Sequence, residues 1–192
     1  MKWVALAIIL VIVPYTYLTL HYRKPGRAFE PYHDMKDRAN TLRLLSAGFQ
    51  RIALDAERPA DPVRGTASAA LFPAPGGLPT ALDATLVEKP LLPAQILTVN
   101  AAAAANALFP YEIELTCTLP DNKQQLGGAQ LYLRSQEIFI IPDFERLSGG
   151  LLARTRENLI RLTIPAGALK PGRYHITLVG ARLSKAWTLQ VK

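Results

Sequence analysis

The sequence predicts a mainly β protein with one N-terminal transmembrane helix, a short juxtamembrane amphipathic helix and a C-terminal antiparallel β-sandwich of about seven strands. Two observations support this prediction. Residues 3–22 are apolar and carry no formal charge before His21, whereas apolar and polar side chains alternate in segments beyond residue 82. Alternation with a period of two is typical of strands with one buried and one wet face. The expected boundaries are 1–22 for the anchor, 23–57 for the juxtamembrane part, 58–80 for a linker and 81–192 for the sandwich.

The first 22 residues predict a membrane anchor that is not cleaved. At 1.5 Å per residue, about 20 helical residues span the hydrocarbon core. A secretory signal peptide is the alternative, but the residues that come after the apolar run, PYTYLTLHYRK, are bulky where a cleavage site needs small side chains. Aromatic and basic side chains near the ends suit the two interfaces with water and lipid phosphates. The predicted interface residues are Trp3, Tyr22, Arg23, Lys24 and Arg27.

Orientation depends on two opposing signals. The positive charges after the apolar run favour a cytoplasmic C-terminus. The very short N-terminal stub and the export-like apolar run favour translocation of the C-terminal part of the chain. We expect a single-pass protein of the cell membrane with its C-terminal domain on the periplasmic or extracellular side.

The segment from Asp34 to Glu57 predicts an amphipathic helix. Its apolar residues recur at spacings of three, four or seven, and Asp34 can serve as its N-cap. The apolar face could cover the sandwich, a partner helix or the membrane surface. The face predicted for a partner helix comprises Met35, Leu42, Leu45, Phe49 and Ile52.

Residues 58–79 contain five prolines and three glycines, a composition that excludes a helix or a central strand and indicates a linker. Strands are predicted after it, at Leu82–Glu88, Gln95–Val99, Tyr111–Thr118, Ala129–Arg134 running on into Ile138–Ile141, Asn158–Ile164, Arg173–Gly180 and Ala186–Val191. Pro142 is expected to end the fourth of them, and residues 101–105 predict either a helical turn or an edge strand. The alternation assigns a core to Ile113, Leu115, Cys117, Ile160, Leu162, Tyr174, Ile176, Leu178, Trp187 and Leu189.

A short segment in the C-terminal half resembles a known family. Leu169, Pro171, Gly172 and Tyr174, followed by alternating apolar residues, resemble the E–F corner of fibronectin type III and immunoglobulin-like sandwiches. The resemblance implies that Tyr174 packs at a sandwich corner and that Trp187 lies on the closing strand. It covers about 20 residues specifically and, unlike in antibody domains, the single cysteine has no disulfide partner.

Catalytic and metal-binding patterns are absent from the sequence, so we predict no enzyme, cofactor or metal site. The three histidines lack zinc-site spacing, and no serine has a GxSxG setting. Cys117 lies on an apolar strand face, which predicts a small buried hydrophobe. Glu112 and Glu114 pair two carboxylates on one strand face. The net charge of +7 is spread along the chain and argues against nucleic acid as a partner.

The leading functional prediction is a non-enzymatic, membrane-anchored accessory or assembly protein that acts through protein–protein contacts of its sandwich. Its expected partners are the lipid bilayer and another membrane or envelope protein, with no small-molecule substrate. The alternative is a membrane-tethered glycan- or peptide-binding module that uses exposed aromatics such as Tyr132 and Phe139, or an open sheet edge. A third possibility is a hydrolase built on Glu112 and Glu114.

Overall fold

The structure, a computed structural model, describes residues 2–21, 35–59 and 69–192. The chain divides into two units, Met1–Asp34 and Met35–Lys192. The first contains helix α1, Lys2–His21, which has Pro14 in its interior. Within the described ranges, no helix meets both the length and the hydropathy that a membrane crossing requires.

The second unit confirms the mainly β prediction. Its described residues form two short helices and ten strands, which are, in chain order, α2 (Met35–Ser46), β1 (Gln50–Glu57), β2 (Phe72–Pro75), α3 (Thr80–Thr85), β3 (Gln95–Ala101), β4 (Ala104–Ala105), β5 (Tyr111–Thr118), β6 (Gln124–Arg134), β7 (Glu137–Arg146), β8 (Glu157–Ile164), β9 (Gly172–Leu178) and β10 (Leu183–Val191).

The strands form one sheet in the order β2-β10-β9-β7-β6-β1-β8-β5-β3, and β4 pairs with β10. Strand β1 changes neighbours along its length: residues 50–54 pair with β6, whereas residues 55–57 pair with β8. This change divides the sheet into a large half, made of β2, β4, β10, β9, β7 and β6, and a small half, made of β8, β5 and β3. The two halves belong to one continuous hydrogen-bonded structure because β1 takes part in both.

The inner faces of the two halves share one apolar core. Side chains from the small half, such as Ile113 and Ile160, belong to the same cluster as Ile138 and Trp187 from the large half. The indole Nε1 of Trp187 donates a hydrogen bond to the Tyr111 hydroxyl oxygen at 3.3 Å, from β10 to β5. All ten residues assigned to the core from the sequence are buried here. The sheet is therefore curled into a sandwich-like fold.

One contact typical of the fibronectin type III corner is present. Tyr174, buried at the start of β9, donates a hydrogen bond from its hydroxyl to the carbonyl oxygen of Lys170 at 2.9 Å, and Trp187 lies on the last strand, β10. A tyrosine that bonds back to the backbone a few residues upstream is the hallmark of this corner. Strands β7 and β9, however, are parallel, whereas immunoglobulin-like sheets are antiparallel.

The helix predicted over residues 34–57 is too long, because α2 ends at Ser46 and residues 50–57 form β1. Gly48 adopts a φ of +78°, and the amides of Gly48 and Phe49 donate to the carbonyl oxygens of Leu45 and Leu44. These two bonds form a Schellman motif, which stops a helix at a left-handed residue. The sandwich consequently begins at residue 50, well before the predicted boundary at residue 81.

Three further predictions also need correction. Leu82–Glu88 is not a strand, because residues 80–85 form α3. The strand predicted to run on from Ala129 to Ile141 is a hairpin that turns at Ser135, where φ is +57°, and β7 continues past Pro142 to Arg146.

The proline-rich segment is not wholly a linker, since residues 72–75 pair with the edge of β10. Ala104 and Ala105 form an edge strand, which was one of the two alternatives.

A second apolar cluster lies on the outer face of the large half, under α2 and α3. Its buried members are Leu44, Phe49, Leu82, Leu86, Tyr132, Ile141 and Val179. The centre of the Phe49 ring is 6.4 Å from that of Phe139. The guanidinium of Arg134 lies over the Phe49 ring, 4.7 Å from its centre. This cluster attaches both helices to the sheet and so fixes one wall of the adjacent polar cleft.

We expect substitution of Gly48 to weaken this attachment. Gly48→Ala should lower the free energy of unfolding by about 1 kcal/mol, because a β-carbon disfavours the left-handed conformation. Gly48→Asn should lose less, since asparagine tolerates this region. Urea unfolding of both variants checks the prediction, and equal stability of Gly48→Ala and the parent would contradict this helix end.

Candidate functional site

A polar cleft of about 400 Å³ lies beside the second apolar cluster. Its base is the outer face of β1, β6 and β7, and its walls are the first turns of α2 and the segment 88–91. Strand register places Arg51 opposite Tyr132, and Gln130 opposite Ile141. Outward-facing side chains of three adjacent strands therefore meet in one concave surface.

A fixed guanidinium forms one side of the cleft. The Nη1 atom of Arg51 is 2.5 Å from Oδ1 of Asp37, and its Nε donates a hydrogen bond to Oε1 of Gln130 at 3.1 Å. Arg51 thus joins α2, β1 and β6. Because these partners hold its side chain in place, the remaining guanidinium nitrogen has a defined direction.

The opposite side of the cleft is acidic. Asp143, Glu145 and Glu88 line it, and no basic side chain in the described part of the chain forms an ion pair with any of the three. Asp143 is partly buried, and burial together with the neighbouring Glu145 raises the pKa of its carboxyl above the usual range. Its ionised form is consequently less stable here than in water.

A β-bulge shapes this acidic side. The register between β6 and β7 shifts between Leu126 and Gly128, so that Gly127 is the extra residue. A β-carbon on Gly127 would lie 2.7 Å from Cγ of Glu145, which is too close for two carbon atoms. Glycine at this position lets the Glu145 side chain lie over β6, and bulges often redirect side chains near binding sites.

The floor of the cleft is apolar and contains the buried residues Tyr132, Ile141 and Phe144. Burial also raises the pKa of the Tyr132 hydroxyl, which therefore stays protonated and can donate a hydrogen bond. The cleft as a whole combines a partly aromatic floor with four carboxylates and three basic side chains. Asp37 is paired with Arg51, and Lys89 is paired with Asp83 outside the cleft. The remaining lining charges are Glu88, Asp143, Glu145 and Arg146. Such a surface suits a cationic or hydrogen-bonding group of a ligand.

The predicted membrane-interface residues fall mainly outside the described part of the chain. Trp3 lies on α1 and is exposed. Tyr22, Arg23, Lys24 and Arg27 are outside the described residues.

The predicted partner-helix face is not one face in the structure. Met35 starts α2, and Leu42 and Leu45 are 68% and 61% exposed on it. Phe49 follows the helix and is buried, whereas Ile52 lies on β1 against the main core. The helical residue that packs on the sheet is Leu44, which the predicted spacing had missed because it extended the helix through Gly48.

The carboxylate pair considered for hydrolysis is occupied by structural contacts. Nη2 of Arg161 donates to Oε1 of Glu114 at 3.0 Å, and Nη1 of the same guanidinium reaches Glu57 at 3.0 Å. Glu112 is exposed on the same outer face of the small half. Neither glutamate lines the cleft.

The Cys117 thiol, which was considered as a nucleophile, is buried. Burial raises the pKa of the Cys117 thiol to about 12, so it remains a neutral thiol inside the core. Within the described ranges, no group of three or more His, Cys, Asp or Glu residues is arranged to hold a metal ion. Tyr132 is buried and Phe139 only partly exposed, which corrects the prediction of two exposed aromatics.

Sequence reasoning missed the cleft itself. Arg51 stands in a segment that was interpreted as helix, and the single strand predicted through 129–141 concealed the pairing of Gln130 with Ile141. One signal was available: Gln130 and Tyr132 alternate with buried Leu131, which places both on the outer face of a strand.

Comparison with known proteins gives no family for this fold and cleft, since no family model, curated protein or solved structure matches the chain.

The acidic side of the cleft predicts a pH-dependent gain in stability on neutralising Asp143. The pKa of the Asp143 carboxyl is raised in the folded state. This carboxyl therefore contributes its full stabilisation of the fold at pH values below its pKa in the unfolded chain. The contribution is lost as the pH rises through its pKa in the folded state. Asp143→Asn should therefore raise the thermal midpoint at pH 7, and the difference should close near pH 3. Thermal unfolding at both pH values checks this, with the exposed Glu157→Gln as control. A lower midpoint for Asp143→Asn at pH 7 would contradict it.

Proposed function

We propose that the chain is a membrane-anchored, non-enzymatic accessory protein whose unit 35–192 binds another membrane or envelope protein through the cleft. The observation that carries the proposal is the acidic side of the cleft, where Asp143 is partly buried beside Glu145 and forms no ion pair with a basic side chain among the described residues. A carboxylate kept at the expense of stability is expected at a functional site.

The chemistry of the cleft favours a lysine or arginine side chain of the partner. A cation placed between Asp143, Glu145 and Glu88 would give these carboxylates an ion pair, which they do not form with one another or with the described basic side chains. The fixed Arg51 on the other side would repel a misplaced cation and attract a partner carbonyl or carboxylate. Attraction and repulsion together would define the orientation of the bound segment.

The edges of the sheet favour contact through the cleft over strand addition. Strand β2 covers part of β10, and Pro73 and Pro75 within it have no amide hydrogen to donate. Strand β3 has a register irregularity between Ile96 and Thr98. Such interruptions weaken an edge as a template for another strand.

The membrane part of the proposal relies on the sequence. Residues 3–22 are apolar over about the length that spans a bilayer. We place the second unit on the exported side, and we keep the immunoglobulin-like type as a proposal supported by the Tyr174 corner alone.

A glycan- or peptide-binding module is the second candidate. The volume of the cleft, about 400 Å³, lies within the range typical of small-ligand pockets. A ligand that binds only the folded state raises the thermal midpoint, so a midpoint shift with a free glycan or short peptide would favour this candidate.

Zero-length carbodiimide cross-linking in native membranes tests the main proposal, because it joins a carboxylate only to an amine in direct contact. We expect Glu88 or Glu145 of the full chain to be linked to a lysine of one membrane protein. The double substitution Glu88→Gln and Glu145→Gln should reduce recovery of that partner about fivefold or more, since an exposed ion pair contributes up to about 1 kcal/mol.

Glu112→Gln is the matched control, because Glu112 is exposed on the other outer face of the sheet. It should leave recovery unchanged. The proposal is wrong if links form equally at Glu112 and at the cleft, or if the double variant recovers as much partner as the parent.

A further inference from the structure

The loop between β7 and β8, residues 147–156, presents two adjacent leucines to solvent. Leu151 is 64% exposed and Leu152 is 59% exposed. Gly149 and Gly150 precede them with φ values of +69° and +75°, which form the turn that directs the chain outward. We call this segment the Leu-Arg loop.

The backbone of the Leu-Arg loop is held in place. The amides of Leu147 and Ala153 donate to the carbonyl oxygens of Lys123 and Asn122, at 2.8 and 2.6 Å. Nη2 of Arg156 donates to the carbonyl oxygen of Pro120 at 2.8 Å. Because the loop is attached to the β5–β6 turn at several points, exposure of the two leucines is a fixed feature of the fold.

Two basic side chains lie beside the two leucines. Arg58 and Arg154 line a cavity of about 280 Å³ together with Leu151 and Leu152. Exposed side chains of both signs lie on the loop, its flanks and the neighbouring turn, and the basic ones are more numerous: Arg58, Lys123, Arg146, Arg154 and Arg156 against Asp121, Glu145 and Glu157. An apolar tip with a basic rim is the arrangement that anionic lipid surfaces attract.

The Leu-Arg loop lies at the end of the second unit where the chain enters it. Asp37, in the first turn of α2, lines the polar cleft together with Arg146, the last residue of β7, and the loop begins at the next residue. Thirteen residues, 22–34, separate α1 from α2. Even fully extended, they reach at most about 45 Å. If α1 is in a bilayer, a tether of this length lets the loop reach the bilayer surface.

We propose that the Leu-Arg loop rests on the headgroups of anionic lipids, with Leu151 and Leu152 inserted among them and the arginines on the phosphates. This inference rests on the membrane anchor of the proposed function. It goes beyond that function because it gives the second unit a fixed orientation, in which the loop faces the bilayer.

Site-specific fluorescence quenching in vesicles tests the inference. Leu151→Cys in the full chain would carry a bimane label, and the buried Cys117 is protected from labelling in the folded protein. Vesicles would contain phosphatidylcholine with one-third phosphatidylglycerol, or phosphatidylcholine alone, each with nitroxide at the headgroup. Gln136→Cys, in the β6–β7 turn at the other end of the strands, is the matched control.

We expect quenching at residue 151 to exceed that at residue 136 at least about twofold in the anionic vesicles, and to weaken in phosphatidylcholine alone. Arg58→Gln with Arg154→Gln should reduce it to the phosphatidylcholine level. Labelling at Leu152→Cys repeats the test if the first variant does not fold. Equal quenching at residues 151 and 136, or quenching that ignores lipid charge, overturns the inference.

Two further readouts separate this inference from the proposed function. If alkaline carbonate releases the parent chain from membranes, the anchor is wrong and both proposals fail. If the chain stays in the membrane while the label at residue 151 is not quenched, only the Leu-Arg loop proposal fails. Cross-linking of residue 151 to a protein in native membranes, without lipid quenching, also overturns it.

Discussion

Strand β1 is the element on which the rest of the structure depends, because it pairs with β6 through residues 50–54 and with β8 through residues 55–57. The other backbone hydrogen bonds between the halves lie at the edges, where the segment 103–107 bonds to the end of β10 and the amide of Ala181 donates to the carbonyl oxygen of Pro93. The inward-facing Leu54 of β1 is buried in the common core. A single eight-residue strand therefore provides the central backbone connection between the two layers of the sandwich-like fold.

The cleft and the Leu-Arg loop both depend on the position of β1. The Schellman motif at Gly48 reverses the chain between α2 and β1, so that α2 lies over the outer face of the large half. This packing brings Asp37 to Arg51 and encloses the cleft. It also places the start of α2 beside the end of β7, where the Leu-Arg loop begins. One helix end thus connects the binding surface with the side of the unit that we place toward the bilayer.

Alternation along the strands made most of the sheet predictable, because a period of two identifies a buried face regardless of which strands are neighbours. The segment 49–57 shows the limit of this reasoning. Phe49 and Ile52 fit a helical spacing, whereas Ile52, Leu54 and Ala56 fit a strand equally well, and only the left-handed conformation of Gly48 distinguishes the two. The cleft was not predictable, because it depends on register across three strands, which a periodic pattern does not contain.

Hydrogen exchange of the β1 amides in the full chain tests this account most directly. If β1 joins both halves, the amides from Ile52 to Ala56 should exchange as slowly as those of the central strand β5, since both would open only when the sandwich unfolds. Fast exchange throughout β1, at the rate of the exposed Leu-Arg loop, would show that residues 50–57 are a loose tether and would contradict the account.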